Sequence, residues 1–191
     1  KSVAEARAAI EAGFTSIMYD GSLDPLEKNI DDTARIAEMA HAAGLSCEGE
    51  LGVVGYHGGA ASHGTDPEEA ARFAAETGID ALAISVGNVH LQTEAAQGLD
   101  RARIDAIAAR TSLPLVIHGG SGVPAEERRL LARDTPICKF NIGTELRQAF
   151  GRSLRNRLAQ DPDAFDRIAI LGGVEPDLRS AARAVLRGLA R

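Results

Sequence analysis

Leu113-Pro-Leu-Val-Ile-His-Gly-Gly-Ser-Gly122 is the stretch on which the reading of the fold turns. Leu115, Val116 and Ile117 form a short apolar run of the kind that fills a buried strand. The run ends in His118, and four small residues follow: Gly119, Gly120, Ser121 and Gly122. An imidazole at the end of a buried strand is a metal ligand, an acid or base, or a hydrogen-bonded structural histidine. A Gly-Gly-Ser-Gly turn lets backbone N–H groups close on an anion without a Cβ in the way. The plainer alternative is a flexible turn.

The same unit recurs on both sides of this stretch. Upstream, Phe14 to Met18 reads as a strand followed by the polar turn Tyr19-Asp20-Gly21-Ser22. Leu45 to Leu51 reads as a second strand carrying Glu48 and Glu50, which point to one side because the side-chain period of a strand is two. Ala81 to Val86 reads as a third, ending in Gly87-Asn-Val-His90. Downstream, Ile137 to Phe140 reads as a fifth, followed by Asn141-Ile-Gly-Thr144.

Helical signals fill the gaps. Ser2-Val-Ala-Glu5 is a capping box, and its helix runs to about Ala12 and stops at Gly13. Ile36, Met39, Ala40 and Ala43 share one face of the next helix, which ends at Gly44. Asp66-Pro-Glu-Glu69 starts another, with an N-cap Asp, a first-turn Pro and acids at the positive end. Ile104, Ile107 and Ala108 share a face of a helix beginning near Asp100, and Val123 to Arg133 reads as a short charged helix. Two strong stripes close the chain: Leu146, Ala149, Phe150, Ser153, Leu154 and Leu158, then Leu178, Ala181, Ala182, Val185, Leu186 and Leu189. Asp161 to Val174 joins them, with room for a short helix.

Strands alternating with helices imply parallel strands and right-handed crossovers. Asp20, Glu50, His90, His118 and Asn141 each stand at the C-terminal end of a different strand. That is the face on which (β/α)8 barrels carry their sites. The expected fold class is therefore α/β, a (β/α)8 TIM barrel of which residues 1–191 hold the last five strands and a C-terminal helix as one domain. A full barrel has eight strands and about 250 residues. Three strands are accordingly expected before Lys1, and an open five-stranded arc is expected to be unstable alone.

Composition narrows the classes of function. A formal net charge of −6 argues against nucleic-acid binding through a basic surface, but leaves small anionic substrates open. Cys47 and Cys138 lie far apart and outside any zinc-finger spacing, so reduced thiols are expected. No run approaches the roughly 18 apolar residues of a membrane span, and a cytoplasmic location is expected.

His90 and His118, with a carboxylate or third imidazole, have the composition of an open divalent-metal site. Glu50 and Asp20 are candidate ligands, second partners or acid/base groups; both have the alternative of capping a neighbouring loop, which is common for Asp at a strand end. His41 is expected at the surface, and His57 and His63 fall in a loop. Gly119, Gly120 and Ser121, with Asn141, Ile142, Gly143 and Thr144, form two turns before helices, where many barrels bind phosphate.

The chain resembles the class II, metal-dependent fructose-bisphosphate/tagatose-bisphosphate aldolase family, as its C-terminal portion. The resemblance rests on Gly13-Phe-Thr-Ser-Ile-Met-Tyr-Asp-Gly-Ser22, Glu48-Gly-Glu-Leu-Gly52, Thr65-Asp-Pro-Glu-Glu-Ala70, Gly87-Asn-Val-His90, His118-Gly-Gly-Ser-Gly122 and Ile137-Cys-Lys-Phe-Asn-Ile-Gly-Thr-Glu-Leu-Arg147, in order from Lys1 to about Phe150. It implies a zinc-dependent lyase of carbohydrate metabolism, as in glycolysis, cleaving a phosphorylated ketose to dihydroxyacetone phosphate and an aldehyde. His90 and His118 would be two of three Zn2+ (or other divalent metal) ligands. Glu50 and Asp20 match acidic positions that hold the metal in an alternative place. Gly119 to Ser121 and Asn141 to Thr144 match segments that hold dihydroxyacetone phosphate. The third histidine and the proton-donor aspartate belong to a segment that would fall immediately before Lys1, so these residues alone are expected to be inactive.

Two positions depart from the family. Leu91 stands where a Gly contacts substrate or a monovalent cation, and no acid lies between Glu50 and Asp66, where the family's mobile loop carries one. Fructose 1,6-bisphosphate is thus one candidate among ketose phosphates. A homo-oligomer is expected, with no nucleic-acid or membrane partner. Two other readings stay open: a Schiff-base aldolase using Lys139, and a sugar-phosphate-binding barrel without catalysis.

Overall fold

The alternation read from the sequence becomes a five-stranded parallel sheet in strand order β1-β2-β3-β4-β5 in a computed structural model. The structure describes residues 2–55, 62–88 and 98–189. The elements are α1 (Val3–Glu11), β1 (Ser16–Asp20), α2 (Leu26–Ala42), β2 (Ser46–Leu51), α3 (Pro67–Thr77), β3 (Ala81–Ile84), α4 (Arg101–Ala108), β4 (Leu115–Ile117), a 3-10 turn (Gly120–Gly122), α5 (Ala125–Asp134), β5 (Ile137–Phe140), α6 (Thr144–Gln160) and α7 (Arg167–Leu189).

Helix starts follow the caps. The Ser2 hydroxyl accepts from the Glu5 amide at 3.2 Å, and the Asp66 carboxylate accepts from the Glu68 and Glu69 amides at 2.9 and 3.0 Å. Each such cap satisfies an N–H that would otherwise lack a partner.

The sheet has two faces of different chemistry, because alternate side chains leave a strand on opposite sides. Ile17, Tyr19, Cys47, Leu51, Leu82, Ile84, Leu115, Ile117 and Ile137 all join one apolar core. Ile36 of α2, Phe73 of α3, Ile104 and Ile107 of α4 and Leu131 of α5 cover it from the helix side. The other face carries Met18, Asp20, Glu48, Glu50, Ala83, Val116 and His118.

A bulge keeps β5 in this scheme. Leu115 pairs with Ile137, but Val116 pairs with Lys139, so the ladder skips Cys138. One extra residue reverses which face follows. Ile137 therefore enters the core while Lys139 joins the polar face, although a regular strand would put the two on the same side.

Two expectations are corrected. β1 begins later and ends later than Phe14 to Met18. Phe14 is exposed, whereas Tyr19 is buried and donates to Asp32 at 3.3 Å, and pairing continues to Asp20 opposite Glu50. Tertiary pairing thus draws the polar turn residues into the strand. The second concerns Asp161 to Val174: it contains the first turns of one 23-residue helix, α7, which passes through Gly172, Gly173 and Pro176. An interior proline costs a helix about 3 kcal/mol. Packing on α6 and α5, with Val174 1% exposed and Ser153 donating to Asp177 at 2.5 Å, offsets it.

Gly49 is where a strand meets its helices most closely. A Cβ there would stand 2.9 Å from the Phe73 ring, 3.1 Å from Thr33 Cγ2 and 3.2 Å from Ile79 Cδ1. Stiffening the unfolded chain by Gly→Ala gains about 0.4–1 kcal/mol, whereas overpacking a core costs about 1–3 kcal/mol. Gly49→Ala is therefore expected to lower stability, as a reduced urea midpoint. A midpoint equal to or above that of the parent would show that Phe73 relaxes freely.

Candidate active site

His118 stands one residue beyond β4, on the polar face of the sheet. Its Nε2 lies 2.9 Å from Glu48 Oε1 and its Nδ1 lies 3.1 Å from Glu50 Oε2. All three side chains are at most 8% exposed. Both carboxylates come from β2, two strands away. They reach His118 because β3 between them presents only alanines on that face: Ala81 pairs with Glu48, and Ala83 pairs with Glu50 on one side and Val116 on the other. The other oxygen of Glu48 accepts from Lys139 Nζ at 2.6 Å. The result is a row of alternating charge, Lys139–Glu48–His118–Glu50, across β5, β2 and β4.

The electrostatics follow from this row. Burial opposes a charged imidazole, but hydrogen bonds and attraction from Glu48 and Glu50 outweigh it and push His118 up to about 9. Burial likewise opposes ionisation of Glu48. The hydrogen bonds from His118 and Lys139 win, and hold its carboxyl below the usual range.

Buried polar side chains hold the backbone at these strand ends. Asn29 Nδ2 donates to the Glu50 carbonyl at 3.0 Å, and Thr33 Oγ1 donates to Asn29 Oδ1 at 3.1 Å. Thr65 Oγ1 donates to the Leu51 carbonyl at 2.6 Å and accepts from the Ser85 amide at 2.8 Å. Asn88 accepts from the Val86 amide at 2.7 Å and donates to the His118 carbonyl at 2.9 Å. Asn88 therefore ties the end of β3 to the end of β4.

The two candidate phosphate turns lie side by side. The Asn141 amide donates to the Ile117 carbonyl at 2.9 Å and the Gly120 amide to the Asn141 carbonyl at 3.1 Å. Ser121 Oγ accepts from the Gly143 and Glu145 amides, both at 3.2 Å. Ser121 thus caps α6 across the seam. The Gly120 and Gly143 amides serve the seam itself, so those two N–H groups are already engaged. Gly119, with φ +64°, makes the sharp exit from His118. Arg128 is buried below the seam and donates to the Gly120 carbonyl at 3.1 Å and to Glu145 at 2.7 Å.

Asp20 Oδ1 accepts from the Ser22 hydroxyl at 2.6 Å and the Ser22 amide at 3.1 Å, and so caps the loop that follows β1. It remains beside Glu50 in the strand register. His63 is exposed, and His41 is paired with Asp80 at 2.9 Å on the opposite end of the fold. His90, Leu91 and His57 lie outside the described residues. Among the described residues no three His, Cys, Asp or Glu side chains form a closed metal cage, because Glu48 and Glu50 bracket His118 instead of converging on one point. Lys139 has a side chain 47% exposed. Cys47 is a buried thiol pushed up to about 11 by burial, and Cys138 is exposed at the bulge.

Three contributors escaped the sequence reading. Glu48 shares a strand face with Glu50, and the period-two rule carried that much; its contact with His118 needed the sheet order. Arg128 sits in a charged helix with nothing local to mark its burial. Asn88 lies in the Gly87-Asn-Val-His90 stretch, but its hydrogen bonds are set by the neighbouring strand.

A parallel α/β arc with ionisable side chains at successive strand ends and a helix-capping seam defines the chain as part of a (β/α)8-type enzyme fold. It belongs to the class-II fructose-bisphosphate aldolase family, whose model matches residues 1–189. A fructose-bisphosphate aldolase of Geobacillus stearothermophilus is 40% identical over 171 residues, which are 87% of this chain and 59% of that protein. A 6-phospho-5-dehydro-2-deoxy-D-gluconate aldolase of Shouchella clausii is 39% identical over 170 residues, 86% of this chain and 57% of that one. The YdjI aldolase of Escherichia coli K12 superposes with a TM-score of 0.80 at 28% identity, over 100% of this chain and 66% of that structure. The chain thus spans about three-fifths of the length of the curated relatives it matches.

The charged row makes stability depend on pH. His118 is raised from 6.5 to about 9 in the fold. Its contribution is complete below the unfolded value and is lost as pH rises through the folded one. The metal-free chain is expected to lose melting temperature between about pH 6.5 and 9, and His118→Gln to flatten that part of the profile. An unchanged slope in His118→Gln would assign the loss to another group.

Proposed function

We propose that this chain carries part of the active site of a metal-dependent ketose-phosphate aldolase, one that cleaves a phosphorylated ketose to dihydroxyacetone phosphate and an aldehyde. The observation that carries the reading is His118, fixed at the end of β4 beside Glu50 and directly before the seam of two turns. Support also comes from the relatives, whose names give two different phosphorylated substrates to one kind of carbon–carbon cleavage.

The donor set fits a divalent cation. An imidazole nitrogen and a carboxylate oxygen 3.1 Å apart, on a rigid sheet, are the ligand types that zinc takes. His118 and Glu50 would hold the metal, joined by His90, with Asp20 as the further acidic candidate. Bound there, the metal supplies a Lewis acid that polarises the ketose carbonyl.

The chain's own groups do the remaining work. The α6 N-terminus and the Ser121 and Thr144 hydroxyls hold a phosphate, since unpaired helix amides and the dipole favour negative charge there. Asn141, at the seam, can hold a substrate hydroxyl. Asn29, Thr65 and Asn88 keep the strand ends fixed, so that His118 and the phosphate end stay in register with the bond to be broken.

Lys139 suits a Schiff-base mechanism less well. Such a lysine needs a dry site that favours its neutral form, whereas this one is half-exposed and paired with Glu48 at 2.6 Å. A cytoplasmic, homo-oligomeric enzyme of carbohydrate metabolism completes the proposal. No described helix is long and apolar enough to cross a membrane.

Retro-aldol release of dihydroxyacetone phosphate from ketose phosphates, with and without chelator, tests the reading on the full-length protein. Activity is expected to vanish with chelator and return with Zn2+. His118→Ala is expected to lose roughly three orders of magnitude in kcat, in line with the several kcal/mol a Lewis acid supplies. Borohydride trapping of an adduct on Lys139 would replace this mechanism with the imine. Sugar-phosphate binding with no cleavage at any metal would replace it with a binding role.

A further inference from the structure

Glu48 has no assigned part in the proposed chemistry, yet both of its carboxylate oxygens are engaged. It lies one pleat below Glu50 on β2 and is 6% exposed. One oxygen meets His118 Nε2 at 2.9 Å and the other meets Lys139 Nζ at 2.6 Å. Lys139 reaches it only because the ladder skips Cys138 and turns Lys139 onto the polar face.

The two carboxylates around His118 are therefore not equivalent. Glu48 is bound to an ammonium group, which repels a divalent cation and occupies one of its oxygens. Glu50 meets Nδ1 at 3.1 Å. Two ligands on one zinc, each at about 2.0–2.1 Å in tetrahedral geometry, stand about 3.3 Å apart. The Nδ1–Oε2 separation is close to that spacing and lies on the side away from Lys139. A ligating histidine donates its other ring N–H to a carboxylate or carbonyl, which sets its tautomer and orientation. Glu48 is placed to accept that proton from Nε2.

We infer that Glu48 is a positioning residue: clamped by Lys139, it accepts from His118 Nε2–H and so presents Nδ1, beside Glu50, to a divalent cation. The inference rests on the metal reading proposed above. It gives the bulge at Cys138 a purpose, since a regular β5 would direct Lys139 into the apolar core. It also gives Lys139 a role that needs no imine.

The test uses the full chain, stripped of metal and titrated with Zn2+ against a chromophoric chelator, and with Co2+ for its visible spectrum. Parent, Glu48→Gln, Lys139→Met, Lys139→Arg and His118→Asn are compared. Glu48→Gln is expected to weaken zinc binding about 10- to 100-fold, the usual cost of losing such an outer partner. It should also shift the cobalt spectrum. Lys139→Met is expected to weaken binding several-fold, and Lys139→Arg to restore it. A folded Glu48→Gln chain that binds zinc within about twofold of the parent overturns the inference, because a merely structural Glu48 would change melting temperature and leave metal affinity alone. Should Glu48→Gln fail to fold, Lys139→Met decides, since its side chain is half-exposed: unchanged affinity and spectrum overturn the inference. His118→Asn binding zinc as tightly as the parent, or a parent that binds none, overturns the metal reading itself, and the clamp falls with it.

Discussion

A parallel sheet covered by helices on one face must sort its side chains by parity, and this constraint organises the molecule. Odd positions of β1, β2 and β4 go under the helices, where Ile17, Leu51, Leu115 and Ile117 join Phe73 and Ile36 in the core. Burying such apolar area contributes about 25 cal/mol per Å2, and nothing else in the chain acts on that scale. The even positions are left to the opposite face. Asp20, Glu48, Glu50 and His118 meet there because the apolar residues have claimed the other side. A one-residue slip in any strand would exchange the two sets. The bulge at Cys138 shows the constraint from its exception, since it sends Ile137 and Lys139 to opposite faces.

Charges concentrated on one face would repel if they had one sign. Here the order is cation, anion, imidazole, anion across three strands, and each member has a partner within 3.1 Å. The small side chain of Ala83 leaves the space in which β2 and β4 touch across β3. Buried amides and hydroxyls on Asn29, Thr65 and Asn88 hold the carbonyls at the strand ends, so the polar face is as fixed as the apolar one. Among the described residues no buried side-chain nitrogen or oxygen lacks a partner. A site needing sub-ångström placement of an imidazole and a carboxylate is served by that lacing. The seam between the two turns extends it, with Ser121 capping α6 and Arg128 bracing both turns from below.

Much of this was legible in the residues. Alternation of apolar runs with capped helices implied parallel strands. Period two put Glu48 and Glu50 on one side, and the strand-end positions of Asp20, Glu50, His118 and Asn141 marked one face. What remained hidden depended on neighbours distant in sequence. Tyr19 and Asp20 carry turn chemistry, yet pairing with β2 makes them strand. Asp161 to Val174 reads as a joining segment, yet α7 begins within it and runs on through Gly172, Gly173 and Pro176 because α5 and α6 pack along it. Lys139 stands between apolar Ile137 and Phe140 in a short strand, and nothing local marks the bulge that turns it to the polar face.

By itself the sequence determined the succession of elements and the residue types at each strand end, because caps, glycines and side-chain periods act over a few residues. Tertiary structure alone decided which of those groups touch. Glu48 and His118 stand 70 positions apart, and nothing in that span is a local signal for their contact. It arises because β3 lies between their strands with only alanines, Ala81 and Ala83, on that face.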